Sequence, residues 1–342
     1  MMTPVGFHQV LTIGMTVLGL QVAGPQPAPT ETGLEITPQL RQAVQRGLAY
    51  LASVQADDGS YGQDRYGRHV GITALASLAF MADGQLPGRG RYGWQVEQGL
   101  AFILQSAQET GLIAADTSHG PMYGHGFATL FLGEIYGMSP SPRLREALVK
   151  AVRLIVATQN AEGGWRYHPI PLDADISVTI CQIMALRSAR NAGIGVPAQT
   201  IERSIAYVRR CQNSDGGFRY MAGGGSSLFP RSAAGVASLY YAGIYEDEAL
   251  TRGLNYLLRH KASKGSTRRF GHYFYGHYYA VQAMFLAGGD YWTGWFSWVR
   301  QQLLERQSSQ GQWSSSHGDH YGTAMALIIL QIPNRLLPIF QR

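Results

Sequence analysis

Gln159-Asn160-Ala161-Glu162-Gly163-Gly164-Trp165 closes an amphipathic run with a glutamine, a glycine turn and an aromatic ring. The phrase returns as Gln55…Gly59-Ser60-Tyr61, as Gln212…Gly216-Gly217-Phe218 and as Gln307…Gly311-Gln312-Trp313. Arg46, Lys150 and Arg203 stand at one fixed distance ahead of their glutamines, and Trp298 holds that place in the last copy. Worn copies surround Gln105 and His260-Lys261. A period of about fifty residues, kept through six units, implies a repeat architecture.

Each unit resolves into two predicted helices. The first is one-faced: Leu40, Val44, Leu48 and Leu51 fall at helical spacing, with Arg41, Gln42, Gln45 and Arg46 opposite. Thr37-Pro38 and Ser141-Pro142 read as N-cap followed by Pro at the first helical position. The second is apolar or small all round, as in 70–81, 127–135, 176–186, 233–241, 278–286 and 323–332. A helix apolar on every face is buried on every face. Alternating one-faced and all-round helices imply six inner helices ringed by six outer ones. An open superhelix would need polar end caps, and neither terminal unit has them. The expectation is an all-α, single-domain (α/α)6 toroid over residues 37–342.

Composition agrees with a large buried interior: of 342 residues 45% are hydrophobic and only 15% charged, below the usual quarter. The net charge of +6 comes without a Lys/Arg run, which argues against nucleic-acid binding. Cys181 and Cys211 fall in apolar helices and read as small buried hydrophobes. Val10 to Leu20 carries no charge and is followed by Val22-Ala23-Gly24 and the Pro-rich stretch 25–36. Residues 1–24 therefore read as a signal peptide, with an uncleaved anchor as the alternative, and export to the periplasm or cell envelope is the expectation.

The Gln…Gly-x-Trp phrase resembles the QW motif of squalene-hopene and oxidosqualene cyclases, whose toroid is shared by protein prenyltransferase β subunits and complement-like thioester domains. The Cys-Gly-Glu-Gln stretch of thioester domains is absent. Where the prenyltransferases carry a zinc-binding Asp-x-Cys, this chain reads Asp173-Ala174-Asp175. The cyclases carry Asp-x-Asp-Asp and protonate their substrate with its middle Asp. Asp173 and Asp175 match the first and middle positions, and Ile176 replaces the last. The resemblance implies acid-initiated cyclisation or isomerisation of a polyprenyl-type lipid, with Asp175 as donor, Asp173 as tuning group and no metal or cofactor. Triterpene cyclases enclose substrate between two barrels. A lone ring needs a homodimer partner or peripheral membrane contact to cover its mouth.

Stacking the inner-helix starts by apolar pattern puts Ile72, His125, Ile176, Ala233, His277 and His320 in one column, with Asp175 and Asp319 in the column before it. Two carboxylates and three imidazoles are then expected at one mouth, beside Tyr123, Tyr167, His168, Tyr273, Phe274, Tyr275, His317 and Tyr321. Asp175 reads as a desolvated general acid or as a plain N-cap. His125 and His320 read as partners that tune it. Tyr167, Tyr273, Tyr275, His277, Asp319 and Tyr321 read as substrate-binding. The imidazoles can alternatively hold a metal, and the aromatics can face a carbocation or simply pack. Trp292, Trp295, Phe296 and Trp298, in the loop ahead of the last outer helix, read as exterior packing or as a bilayer-facing patch. Two functions stay open: the lipid cyclase, and a non-catalytic exported ring that binds a hydrophobic ligand or protein partner.

Overall fold

A computed structural model describes residues 36–115, 120–261 and 272–341. The expected targeting segment and the Pro-rich stretch, Ile36 apart, lie outside the described residues. Among the described residues, six outer helices alternate with six inner ones. The outer set is α1 (Pro38–Ser53), α3 (Gly93–Gln105), α5 (Pro142–Ala157), α7 (Ala198–Arg210), α9 (Glu248–Lys261) and α11 (Gly289–Leu304). The inner set is α2 (Val70–Met81), α4 (Met122–Met138), α6 (Ile176–Asn191), α8 (Phe229–Tyr241), α10 (Tyr273–Ala287) and α12 (Asp319–Gln331). Each inner helix packs on the next, and α12 packs on α2, so the ring is closed.

The two-layer pattern follows from the side chains. On α1 the buried face is Leu40, Ala43, Val44, Gly47, Leu48 and Leu51, while every residue of α2 is buried. Thr37 and Ser141 cap α1 and α5 through the amides of Leu40 and Leu144. Trp292, Trp295 and Phe296 belong to α11 itself, not to a loop before it, and all three are buried. Burying these rings against the inner layer removes them from the surface where a bilayer contact was an alternative.

The repeated phrase is the joint between units. Each glutamine Nε2 donates to the carbonyl of its own turn glycine, Gly59, Gly163, Gly216 or Gly311, at 2.9–3.0 Å. It donates again, at 2.7–2.9 Å, to a carbonyl near the start of the next outer helix: Gln95, Thr200, Ala249 and, from Gln307, Ala43 of α1. The last bond ties the sixth unit to the first. Gly163 has φ 97°, and a Cβ there would run into the carbonyl oxygen of Arg203, so the turn requires glycine. The aromatic that ends the phrase points back under its helix: Trp165 and Trp313 donate through Nε1 to Ile155 and Leu303 at 2.7 Å.

That aromatic's backbone amide fixes the register of the inner helix. Tyr61, Trp165, Phe218 and Trp313 donate to the hydroxyls of Thr73, Thr179, Ser232 and Thr323 at 2.8–3.1 Å. In the second unit Ile113 donates instead to Nδ1 of His125, at 3.1 Å. The true column is therefore Thr73, His125, Thr179, Ser232 and Thr323, with His277 in the corresponding place on α10.

After α12 the chain crosses the other end of the ring. Asn334 Nδ2 reaches the Ala82 carbonyl at 3.0 Å, and the Arg335 guanidinium lies 5.5 Å from the Phe285 ring centre. A short 3-10 helix, Pro338–Phe340, then settles on α4 and α6 with Ile339 and Phe340 buried. Glu134 receives it there, accepting from the Ile339 amide at 2.9 Å and from the Ser188 hydroxyl at 2.6 Å. Burial pushes its carboxyl up to about 7, against the pull of those two donors.

Candidate functional site at the mouth of the ring

Counting back two residues from the register column gives Gly71, Tyr123, Ser177, Pro230, Tyr275 and Tyr321. All six line one cavity of about 610 Å³ at the N-terminal end of the inner helices, a volume suited to a small organic ligand. One turn deeper, Leu75 and Phe127 continue its apolar wall. Below them the lumen is spanned by side chains. Tyr275 Oη donates to the Ser177 carbonyl at 3.0 Å, and Tyr279 Oη meets Cys181 Sγ at 3.3 Å. Both contacts join α6 to α10, which are not neighbours in the ring. Tyr167 and Tyr220, hydrogen-bonded to each other through their hydroxyls, complete one side of the cavity.

Asp175 lies behind that tyrosine pair. It is the N-cap of α6, with Oδ1 accepting from Ser177 and Val178 amides at 2.8 and 2.9 Å. Oδ2 is buried without a well-formed hydrogen bond among the described residues, and Arg166 Nε stands 3.6 Å from it. Asp175 has no solvent exposure and is not among the residues lining the cavity. Desolvation pushes its carboxyl up to about 6, although the donors of Val178, Tyr220 and Ser177 and the Arg166 charge all pull it down. Asp173 is half-exposed and ion-pairs with Arg166, and so holds the guanidinium beside Asp175.

The rest of the expected constellation divides. Tyr167, Tyr275 and Tyr321 line the cavity. The three imidazoles do not converge on it. His125 is fully buried between the layers, where it replaces the threonine of other units, and burial lowers its pKa to about 4. His277 is enclosed by Phe229, Tyr273, Trp295 and Trp298, its pKa lowered to about 3 by burial. His320 accepts from the Gly62 amide at 3.2 Å and abuts Tyr50 and Tyr61. Tyr273 faces Arg306, whose guanidinium is 4.2 Å from the ring centre. Asp319 opens α12, its amide donating to Gln63 Oε1 at 2.5 Å. No group of three or more His, Cys, Asp or Glu side chains among the described residues is arranged to hold a metal ion.

The reason is angular. The apolar-pattern column is off by three residues in α6 and α12 and by one in α2 and α8. A side chain two residues from the lumen-facing position has turned about 200° around its helix and looks into the layer boundary. The sequence reading therefore missed Arg65, His69, Tyr220, Arg231 and His272, which complete the cavity wall. Counting two back from each Thr or Ser that follows the turn would have found the right face.

No family model matches the chain. Drimenyl diphosphate synthase from Streptomyces showdoensis is 25% identical over 182 residues, covering 52% of this chain and 32% of that protein. The same enzyme from Streptantibioticus cattleyicolor is 26% identical over 210 residues, covering 60% and 35%. The chain thus spans about a third of the length of the curated relatives it matches. Among solved structures, the type II terpene cyclase MstE from Scytonema superposes with a TM-score of 0.61 at 15% identity, over 88% of this chain and 100% of that one. An α-1,6-mannanase from Salegentibacter sp. HEL1_6 superposes with a TM-score of 0.64 at 8% identity, over 87% and 99%. At such identities the likeness is one of fold, and that fold hosts unrelated chemistries. The chain has the α/α toroid fold found in the type II terpene cyclases.

Proposed function

We propose that the ring takes a polyprenyl-type lipid into its mouth and begins its cyclisation or isomerisation by protonating an alkene, with Asp175 as the proton source. The observation that carries this reading is the placing of Asp175. It is a carboxyl whose hold on its proton burial raises to about 6, with one oxygen free of the cap, behind two linked hydroxyls that face an apolar cavity. Asp175 does not reach the cavity, so its proton passes through Tyr220 and Tyr167. Tyr167 gives its proton to the alkene carbon as Tyr220 and Asp175 replace it in turn. The cation that forms is faced by Tyr123, Phe127 and Tyr275. Arg166, held by Asp173, stabilises the carboxylate left behind, and loss of a proton from a neighbouring carbon discharges the cation. Ile170 and Leu172, 55% and 77% exposed on the loop after Tyr167, offer a membrane-borne lipid an apolar approach. The fold supports the ligand class, since MstE has been seen holding geranylgeranyl dihydroxybenzoate.

A second reading is a non-catalytic ring that binds a hydrophobic ligand. It is favoured by the zero exposure of Asp175 and by the cap, which alone accounts for an Asp at this place. Incubating wild type, Asp175→Asn and Tyr220→Phe with squalene and linear prenyl diphosphates, followed by mass spectrometry of the extracts, separates the two. The acid reading expects a cyclised or isomerised product from wild type alone. Binding without product in all three proteins supports the second.

A further inference from the structure

Residues 336–341 cross the end of the ring opposite the mouth as a strap, with Leu337, Ile339 and Phe340 buried. Its backbone bonds are mostly local: the Phe340 and Gln341 amides donate to the carbonyls of Leu337 and Pro338. Among the described residues one hydrogen bond ties 336–341 to the ring helices, from the Ile339 amide to Glu134 Oε2 at 2.9 Å. The other oxygen admits two arrangements. Ser188 Oγ lies 2.6 Å from Glu134 Oε1 and 3.2 Å from the Leu130 carbonyl oxygen, and it has one hydrogen to donate. An ionised Glu134 takes that hydrogen. A protonated Glu134 donates its own to Ser188 Oγ, the hydroxyl turns to Leu130, and Oε2 still accepts from Ile339, so the acid form leaves no donor unmatched. The ionised form is as well bonded but buries a full charge at 1% exposure. Among the described residues no cation answers it: Glu134 makes no ion pair, Arg187 on α6 turns to the Tyr245 hydroxyl, and Arg335 lies against Phe285. The titratable neighbours are Tyr241 on α8 and Tyr278 on α10, both kept neutral by burial, and the Tyr241 hydroxyl is already given to Gln282 Oε1 at 2.5 Å.

We infer that Glu134, Ser188 and Ile339 form a proton-operated clasp: the acid form of Glu134 holds the strap down, and ionisation loosens it. The strap is the element that yields, since α4 and α6 are each packed between two neighbours of the closed ring while 336–341 has one bond to release. Lifting it lets water reach the carboxylate and bares Leu337, Ile339 and Phe340. Burial raises the covered carboxyl from 4.5 to about 7, and an uncovered one returns towards its ordinary value. Between those values the closed form binds more protons, so closure weakens as pH rises from about 4.5 to about 7 and levels off above. The clasp is a conformational device at the far end, separate from the chemistry of the mouth.

The test uses the full chain and amide hydrogen exchange read by mass spectrometry between pH 5 and 8.5. Peptides covering 332–341 are followed, with rates corrected for the intrinsic pH dependence of exchange in an unfolded peptide. In wild type, protection of the strap is expected to fall by up to about ten-fold per pH unit between about 5 and 7 and to stay level above. Glu134→Gln keeps an acceptor for the Ile339 amide and cannot ionise, so its strap should stay protected with no such fall. The same pH dependence in both proteins, or wild-type protection that does not change between pH 5 and 7, overturns the clasp. Should Glu134→Gln fail to fold, wild type alone decides. A fall that levels off near pH 7 supports titration of the covered carboxyl, and one that continues undiminished to pH 8.5 overturns it.

Discussion

Among the described residues the ring buries one carboxyl at each end, and the two ends use it differently. At the far end Glu134 is spent on structure: both oxygens accept short hydrogen bonds, and one of them fastens the C-terminal segment across α4 and α6. At the mouth Asp175 spends one oxygen on the cap of α6 and keeps the other in reserve beside Arg166 and the tyrosine pair. Burial raises both, to about 7 and about 6. A raised carboxyl pKa alone thus does not mark a catalytic acid. What separates the two is an uncommitted oxygen next to groups that line a cavity.

The comparison breaks most visibly if the far end is opened. Removing residues 337–342 exposes the sites of Leu337, Ile339 and Phe340, now at most 3% exposed. The expected loss is on the order of 5 kcal/mol at roughly 1.5–3 kcal/mol per buried apolar side chain, read by urea unfolding. Ligand binding at the mouth should survive wherever the truncated ring still folds. Parallel loss of binding at temperatures where helicity is intact would show that the ends are not independent.

A smaller effect is expected from pH. In the unfolded chain Glu134 ionises near 4.5 and Asp175 near 3.8, while the folded groups hold their protons to about 7 and about 6. Between those limits the folded state binds more protons, so stability falls as pH rises and the loss is complete above the folded value. Each group accounts for on the order of 3 kcal/mol at about 1.36 kcal/mol per pH unit. Glu134→Gln should remove the part of the slope that persists to neutral pH, and Asp175→Asn the part that ends nearer 6. Thermal unfolding across pH 4–8 reads both, and an unchanged slope in either variant refutes its assignment.

The smallest effect sharpens the contrast. Asn keeps a capping oxygen and Ala does not, so Asp175→Ala should be about 1 kcal/mol less stable than Asp175→Asn. Glu134 holds the Ile339 amide rather than the start of its own helix, so Glu134→Ala should lose a bond that Glu134→Gln keeps and loosen the C-terminal segment, leaving the start of α4 intact. Equal stability of the two Asp175 variants would remove the cap from the account.

The ring was legible because its joints are written in residues with few alternatives. Gln159 must reach two carbonyls, Gly163 must accept a positive φ, and Trp165 must span back to Ile155. The cap at Asp175 and the tyrosines at 167, 275 and 321 were also within reach. The inward face was not, because the inner helices are apolar on every side and a shift of three residues, nearly one turn, leaves their pattern unchanged. His320 entered the wrong column for that reason, since the register residue of α12 is Thr323. Arg231 and Tyr220 escaped notice because nothing local marks them. Their meaning comes from a cavity assembled across units far apart in sequence.

The most direct test sets the two buried carboxyls side by side. Wild type, Asp175→Asn and Glu134→Gln would be incubated with the same prenyl substrates and their products compared by mass spectrometry. The account predicts product from wild type and from Glu134→Gln, and none from Asp175→Asn. Undiminished product from Asp175→Asn would contradict the assignment of the proton source to the mouth.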